Sequence, residues 1–322
     1  MAEISFRNVT KTFPNGKSAV RDFSLEIHSG EFLVLTGPQG SGKATVLRMI
    51  AGMEPISSGE LRINGEIVEN GKPEKRNMGM IFQHYTLYPG MTVRDNISFA
   101  MKLHQEPEDV ICRSVEETAR IFKIENLLSC YPRELNELQK QYVAMARAHV
   151  HQPEAFLLLN PVRSLDLQAR KKARNRLKEL QEEIGTTLIY ATDDAAEAAF
   201  MGTRTVIMRR GRIIQVGTAE ELMENPCCFF VAQFMNEPGF GSGEVRIVKG
   251  KTAVEAVADN FSVDVPPEWI PRLEQAGYVG KRVLMGYTVS RPSDEEDMGC
   301  ELLPDGESRF FFFDRETQKS IV

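Results

Sequence analysis

The chain has 322 residues, 42% hydrophobic and 26% charged, with a formal net charge of −6: room for about two domains with a full core, and an acidic balance that argues against a general nucleic-acid binder. Its five cysteines (Cys112, Cys130, Cys227, Cys228, Cys300) are odd in number and lack paired metal spacing, so reduced thiols are expected. The start MAEISFRNVTKTF has no cationic segment leading into an apolar one, and no run approaches 18 apolar residues, so neither a signal peptide nor a membrane span is expected.

In chain order, alternation predicts strands over 4–9 and 19–27, and the apolar run 31–36 (EFLVLT) predicts a buried parallel strand. GPQGSGKAT follows at 37–45, a phosphate-binding loop in which Gly37, Gly42 and Lys43 satisfy the pattern G-x-x-x-x-G-K-[S/T] and Ala44 does not. Gly37, Gly40 and Gly42 let the backbone turn its N–H groups inward above a helix N-terminus, and Lys43 adds a point charge suited to phosphate. Magnesium loses its hydroxyl anchor at Ala44, and Thr45 is rotated by about 100° around the helix from that position. Residues 58–68 read as a hairpin with Asn64-Gly65 at the turn, and 78–82 as a strand ending in Gln83.

From about 92 to 138 the apolar spacing is helical. Residues 155–159 predict a buried strand and 167–184 a charged helix, on whose solvated face the basic run 171–176 falls. A strand over 187–191 comes next, then a hairpin (206–209 and 212–216) closed by Arg210-Gly211, and helices near 219–224 and 228–235. The stretch 239–243 (GFGSG) reads as a linker. Short β-like runs at 244–248, 252–257, 261–265, 282–287 and 309–313 then predict a small all-β module with little helix.

Six ordered stretches now carry a resemblance: GPQGSGKAT, MIFQHYTLYPGMTVRDNISFAMKL, YPRELNELQKQYVAMARA, FLLLNPVRSLD, YATDDAAEAA and RRGRIIQVGTAEELMENP. Residues 1 to about 235 resemble the ATP-binding subunit of an ABC importer of the carbohydrate, maltose-importer-like branch. FFFFDRETQKSIV and VGKRVLMGYTVSRPSDEE resemble that branch's β-rich regulatory domain. The resemblance implies an α/β P-loop NTPase fold. Its ABC nucleotide-binding domain spans 1–235, with a mixed sheet core and a helical subdomain at about 92–150. A shortened all-β, TOBE-like (OB-type) domain spans 236–322.

The resemblance also implies roles. Phe13 matches the aromatic that stacks on adenine; Gly37, Pro38, Gln39, Gly40, Ser41, Gly42, Lys43, Ala44 and Thr45 match the nucleotide loop; Gln83 matches the glutamine that senses γ-phosphate and magnesium and couples to the membrane subunit. Tyr85, Leu87, Tyr88 and Met91 lie where the family docks a helix of the membrane subunit. Elsewhere the chain departs. Leu159 stands where an Asp holds Mg²⁺, Asn160 where a Glu polarises water, and Asp193 where a switch His stands. The signature LSGGQ reads Leu135, Asn136, Glu137, Leu138 and Gln139, while Asp166 of the D-loop survives. An amide cannot take a proton at neutral pH, a carboxylate repels a γ-phosphate, and Glu137 and Leu138 replace the glycines that admit close backbone approach. No intact catalytic residue and no metal site are therefore expected.

Each ABC site joins the loop of one subunit to the signature of the other, and here both halves are altered, so no partner completes a site. The expectation is a catalytically silent, structural or regulatory subunit of a sugar importer that binds ATP weakly or without Mg²⁺. Its partners would be membrane subunits at the cytoplasmic face, in a homodimer or a heterodimer with another ABC ATPase. The alternative is a working ATPase that drives import. A nucleic-acid-associated ABC protein is disfavoured by the acidic balance and the importer-type C-terminal module.

Overall fold

The computed structural model describes residues 1–68, 73–82, 86–236, 240–249, 254–257, 262–265, 267, 269–288 and 310–321. Gln83, Tyr85 and Cys300 lie outside the described residues, as do parts of the expected C-terminal runs. The chain divides into two compact units, Met1–Ile213 and Ile214–Val322.

The first unit opens with β1 (Ile4–Thr12) and β2 (Ser18–Ile27), then β3 (Phe32–Thr36), helix α1 (Lys43–Ala51), β4 (Ser58–Ile63), β5 (Glu66–Ile67) and β6 (Met78–Ile81). Helices α2 (Val93–Leu103), α3 (Glu108–Phe122) and α4 (Glu137–His149) follow, then β7 (Ala155–Leu159), α5 (Leu167–Ile184), β8 (Thr187–Thr192), α6 (Ala195–Met201) and β9 (Arg204–Arg209). Two sheets result. An antiparallel one runs β2-β1-β4-β5, and in a parallel one β3 lies between β9 and β8, with β7 and β6 beyond.

The uninterrupted apolar runs of β3, β7 and β8 follow from burial on both faces. Phe32, Val34, Phe156, Leu158, Leu188 and Tyr190 enter one hydrophobic core with helices α2 to α5, while Leu33, Leu35, Ala155, Leu157, Ile189 and Ala191 enter a second with α1 and the antiparallel sheet. Each fully buried Leu or Ile stabilises by roughly 1.5–3 kcal/mol, so these strands anchor the loops at their carboxyl ends.

Three local expectations are corrected. The helical stretch from 92 to 138 breaks between α2 and α3, where Gln105 turns left-handed (φ 58), and again where Lys123 does (φ 55), and α4 starts only after the cap residue Asn136. The expected docking residue Leu87 is 7% exposed and belongs to the first core, which leaves Tyr88 and Met91 accessible. The supposed linker at 239–243 is strand from Phe240 onward, because an unbroken antiparallel register from Phe240↔Thr288 to Arg246↔Arg282 keeps its glycines extended.

The second unit carries most of β10 (Arg212–Gly217), then α7 (Ala219–Glu224) and α8 (Phe229–Asn236). An antiparallel sheet follows, ordered β13-β12-β11-β14-β15 from β11 (Phe240–Lys249), β12 (Val254–Val257), β13 (Ser262–Asp264), β14 (Arg282–Thr288) and β15 (Phe310–Phe313), with α9 (Ile270–Gln275) between β13 and β14. Val245, Ile247, Val283, Met285 and Phe312 form its core. Helix α8 groups with this sheet because Phe229 N–H donates to Gln318 O at 3.0 Å, Ser320 N–H donates to Cys227 O at 3.1 Å, and the Phe229 and Phe313 rings meet edge-on at 5.5 Å.

Candidate functional site

At the carboxyl end of β3 the backbone enters the phosphate loop with Gly37, Gly40 and Gly42 at φ 140, 79 and 112, a region closed to most side chains. Gly42 caps α1, whose far end is closed by Gly52 in left-handed geometry. The loop opens on a cavity of about 590 Å³ lined by Phe13, Lys17, Arg21, Gln39, Gly40, Ser41, Gly42, Lys43, Ala44, Thr45, Leu159, Asn160, Arg163, Asp193 and Arg210. The loop, the end of β7 and the residue after β8 thus converge on one space, as the spacing implied. Phe13 sits half-buried at its edge, with the Lys11 ammonium 5.1 Å from its ring centre.

Lys43 is 5% exposed and folds over the loop, donating to Gly37 O (2.7 Å), Pro38 O (3.1 Å) and Ser41 Oγ (3.2 Å). Burial pushes its ammonium down to about 8; the Asp193 carboxylate opposes that shift and the Arg163 guanidinium adds to it. Between about pH 8 and 10.5 the unfolded chain holds this proton and the folded one has lost it, so Lys43 makes stability rise with pH across that window. Anion binding runs the other way, since only the protonated amine attracts phosphate. Inorganic triphosphate should bind about tenfold more weakly at pH 9.5 than at pH 7, a difference that calorimetry should find abolished in Lys43→Met.

The end of β7 presents an alkyl side chain and an amide to the cavity. Leu159 offers no oxygen. Asn160 turns left-handed at φ 46, fixed by its N–H to Ala191 O at 2.8 Å, and its buried Oδ1 has no hydrogen-bond partner. That amide can hold a water or a ligand donor but cannot accept a proton from one. Asp193 forms an ion pair with Arg163. Thr192 Oγ1 places Asp193 by donating to the buried Glu197 at 2.8 Å and accepting from Asp194 N–H at 3.1 Å. Tyr190 Oη also donates to Glu197 at 3.0 Å, and burial raises that carboxyl above the ordinary range.

Neither Arg163 nor Glu197 stood out in the sequence. Arg163 becomes legible only when a fold brings it to Asp193, 30 positions away. Asp166, for its part, is the N-cap of α5, accepting from Ala169 N–H at 2.9 Å.

A nucleotide fits this site: the cradle is formed and the cavity is lined by five cationic residues and one acid. For magnesium, the side chains of Ala44 and Leu159 supply no ligand and the Asp193 carboxylate is paired with a guanidinium, while the oxygens that line the cavity are the Ser41 and Thr45 hydroxyls and the unpartnered Asn160 Oδ1.

The altered signature is a formed helix start. Asn136 Oδ1 accepts from Gln139 N–H at 2.9 Å while Gln139 Oε1 accepts from Asn136 N–H at 3.0 Å, a reciprocal capping box. Glu137 pairs with Lys140 at 2.7 Å, and Leu138 packs against the first core. Asn136→Ala should cost about 1 kcal/mol in a denaturant titration, the ordinary value of a cap.

Around the expected docking patch, Asn96 is fully buried and its side chain accepts from Tyr88 N–H (2.8 Å) and donates to the carbonyls of Tyr88, Met91 and Thr92. The Tyr88 ring, 40% exposed, is thereby presented between Phe99 and Arg147.

With this geometry in hand, residues 20–163 match the family described as "ABC transporter". The trehalose import ATP-binding protein SugC of Mycobacterium tuberculosis is 44% identical over 287 residues, covering 84% of this chain and 73% of that protein. The sn-glycerol-3-phosphate import ATP-binding protein UgpC of Rhizobium meliloti is 45% identical over 238 residues, covering 74% and 68%. Among solved structures, cbiO1 from Clostridium perfringens, part of the ABC transporter complex cbiONQ, superposes with a TM-score of 0.66 at 25% identity, over 69% of this chain and 90% of that one.

Proposed function

The chain belongs to the ABC transporter family, in the carbohydrate-importer branch of its ATP-binding subunits, and from that premise we propose that it is a silent subunit: it binds nucleotide, docks a membrane subunit and does not turn ATP over. One observation carries this reading. The cavity keeps the phosphate loop and Lys43, while its metal and base positions are Leu159 and Asn160 and its switch position, Asp193, is tied to Arg163.

Without a base, the attacking water stays unactivated, and without a metal the γ-phosphate charge is not neutralised through its usual partner. What this chain's residues still do is hold. Lys43 and the loop N–H groups bind phosphate, and Phe13 offers a face to the base. No helix among the described residues is long and apolar enough to cross a membrane. In this reading the surface around Tyr88 and Met91 attaches the chain to its membrane subunit at the cytoplasmic face, and the solute class by relation is a sugar, as in trehalose import by the SugC relative. Dimerisation with itself or with an active ATPase subunit fits the same reading.

The test is ATP turnover by the purified chain, alone and with co-expressed membrane subunits. Phosphate release should equal that of Lys43→Ala; Mg²⁺-dependent release abolished by Lys43→Ala would instead establish a working ATPase.

A further inference from the structure

We propose that this pocket takes its nucleoside triphosphate free of divalent cation, with the Arg163 guanidinium as the counter-charge that a metal would otherwise supply. The inference rests on the silent-subunit reading and deepens it by naming the form of the ligand and the residue that receives it.

Three observations converge on Arg163. It lines the same cavity as Lys43 and the glycine loop, directly beside the ligand-less Leu159 and the base-less Asn160. Its position is set by backbone: Arg163 N–H donates to Asn160 O at 3.3 Å, and Arg170 Nη2 donates to Arg163 O at 3.1 Å. Its present partner is Asp193, a carboxylate in the pocket wall, and the pair is half-open, with side-chain exposures of 49% and 21%. An exposed ion pair of this kind is weak and exchanges readily. A terminal phosphate offers the guanidinium the planar, two-pronged contact that it makes best and carries more charge than the carboxylate it displaces.

The charge pattern of the wall points the same way. Among the described residues that line the cavity, Lys17, Arg21, Lys43, Arg163 and Arg210 outnumber the acid Asp193, in a protein whose net charge is −6. At the two positions from which the resemblance would have a hydroxyl and a carboxylate hold the metal, this pocket has Ala44 and Leu159, and its wall concentrates positive charge, which suits the more negative, metal-free triphosphate. Chelating a divalent ion to the ligand removes part of the charge that these five cations recognise.

The test is calorimetric titration of the full chain with ATP in excess EDTA and, separately, in excess Mg²⁺. Binding in EDTA should be at least as tight as in Mg²⁺. Arg163→Gln should weaken the EDTA affinity about tenfold or more, Arg163→Lys should recover part of it, and Asp193→Asn, which removes both the competitor and a like charge, should strengthen it. Thermal melts confirm that each variant is folded. Binding at least tenfold tighter with Mg²⁺, an Arg163→Gln affinity equal to that of the parent, or no binding in either buffer overturns the proposal. Hydrolysis seen in the Mg²⁺ arm overturns the silent-subunit reading instead, and the EDTA arm still decides the role of Arg163.

Discussion

A chain carrying Ala44→Ser, Leu159→Asp, Asn160→Glu, Arg163→Ser and Asp193→His, with Glu137→Gly and Leu138→Gly, should hydrolyse ATP in the presence of Mg²⁺ at least about 10³-fold faster than its parent. Removing a single proton-transfer or electrostatic group from an active site costs roughly 10²–10⁴-fold in rate. Such losses are not additive, so restoring all the groups together returns more than one such factor but less than their product. Arg163 must change along with Asp193; otherwise a guanidinium faces an imidazole with no carboxylate between them.

The repair has structural costs that are small beside the expected gain. Asn160 sits at φ 46, where Asn is at ease and Glu costs about 1–2 kcal/mol. Each glycine at the start of α4 costs up to about 1 kcal/mol, while the Asn136–Gln139 box that begins the helix is untouched. Single-turnover assays of parent, partial and full repairs would measure the return. A folded, nucleotide-binding full repair that turned over no faster than its parent would show that these seven positions do not by themselves decide turnover.

Gly37→Ala should be the most damaging single change in the phosphate loop. An added Cβ would lie 2.1 Å from the carbonyl oxygen of Met208, at a φ of 140 that L side chains avoid. Met208 is fully buried on β9 in the second core, so its backbone has nowhere to withdraw. Strain of about 1–3 kcal/mol and overpacking of about 1–3 kcal/mol act at the same point, for roughly 2–6 kcal/mol in all. Gly40→Ala is the internal control. Its Cβ meets nothing within 4 Å, and only its φ of 79 is unfavourable, so it should lose no more than about 1–2 kcal/mol. Chemical denaturation of the two variants side by side reads the difference, and equal losses would show that β9 yields to the loop.

The fold was legible wherever burial decided the residue type. The runs FLVLT, AFLLL and TLIYAT are apolar because both faces of β3, β7 and β8 are covered, and helix α5 falls on residues 167–184 because Asp166 and Gly185 punctuate it. Legibility failed where a distant segment overrode local character. Phe240–Gly243 looks like a linker until β14 pairs with it, and Leu87 looks like a docking residue until the first core encloses it. In the site, the departures at Ala44, Leu159, Asn160 and Asp193 were visible one by one. What no local pattern could reveal was the contact between Arg163 and Asp193, which exists only because β7 and β8 are neighbours.

The capping box at Asn136 and Gln139 has a consequence for assembly. The box already satisfies the N–H groups of Asn136 and Gln139, so those two donors have little to gain from a polyanion brought against the helix end. A ligand shifts an association equilibrium only by the difference between its affinities for the joined and the separate subunits. The smaller that difference at this surface, the more any pairing of subunits would depend on their concentration and the less on the supply of ATP.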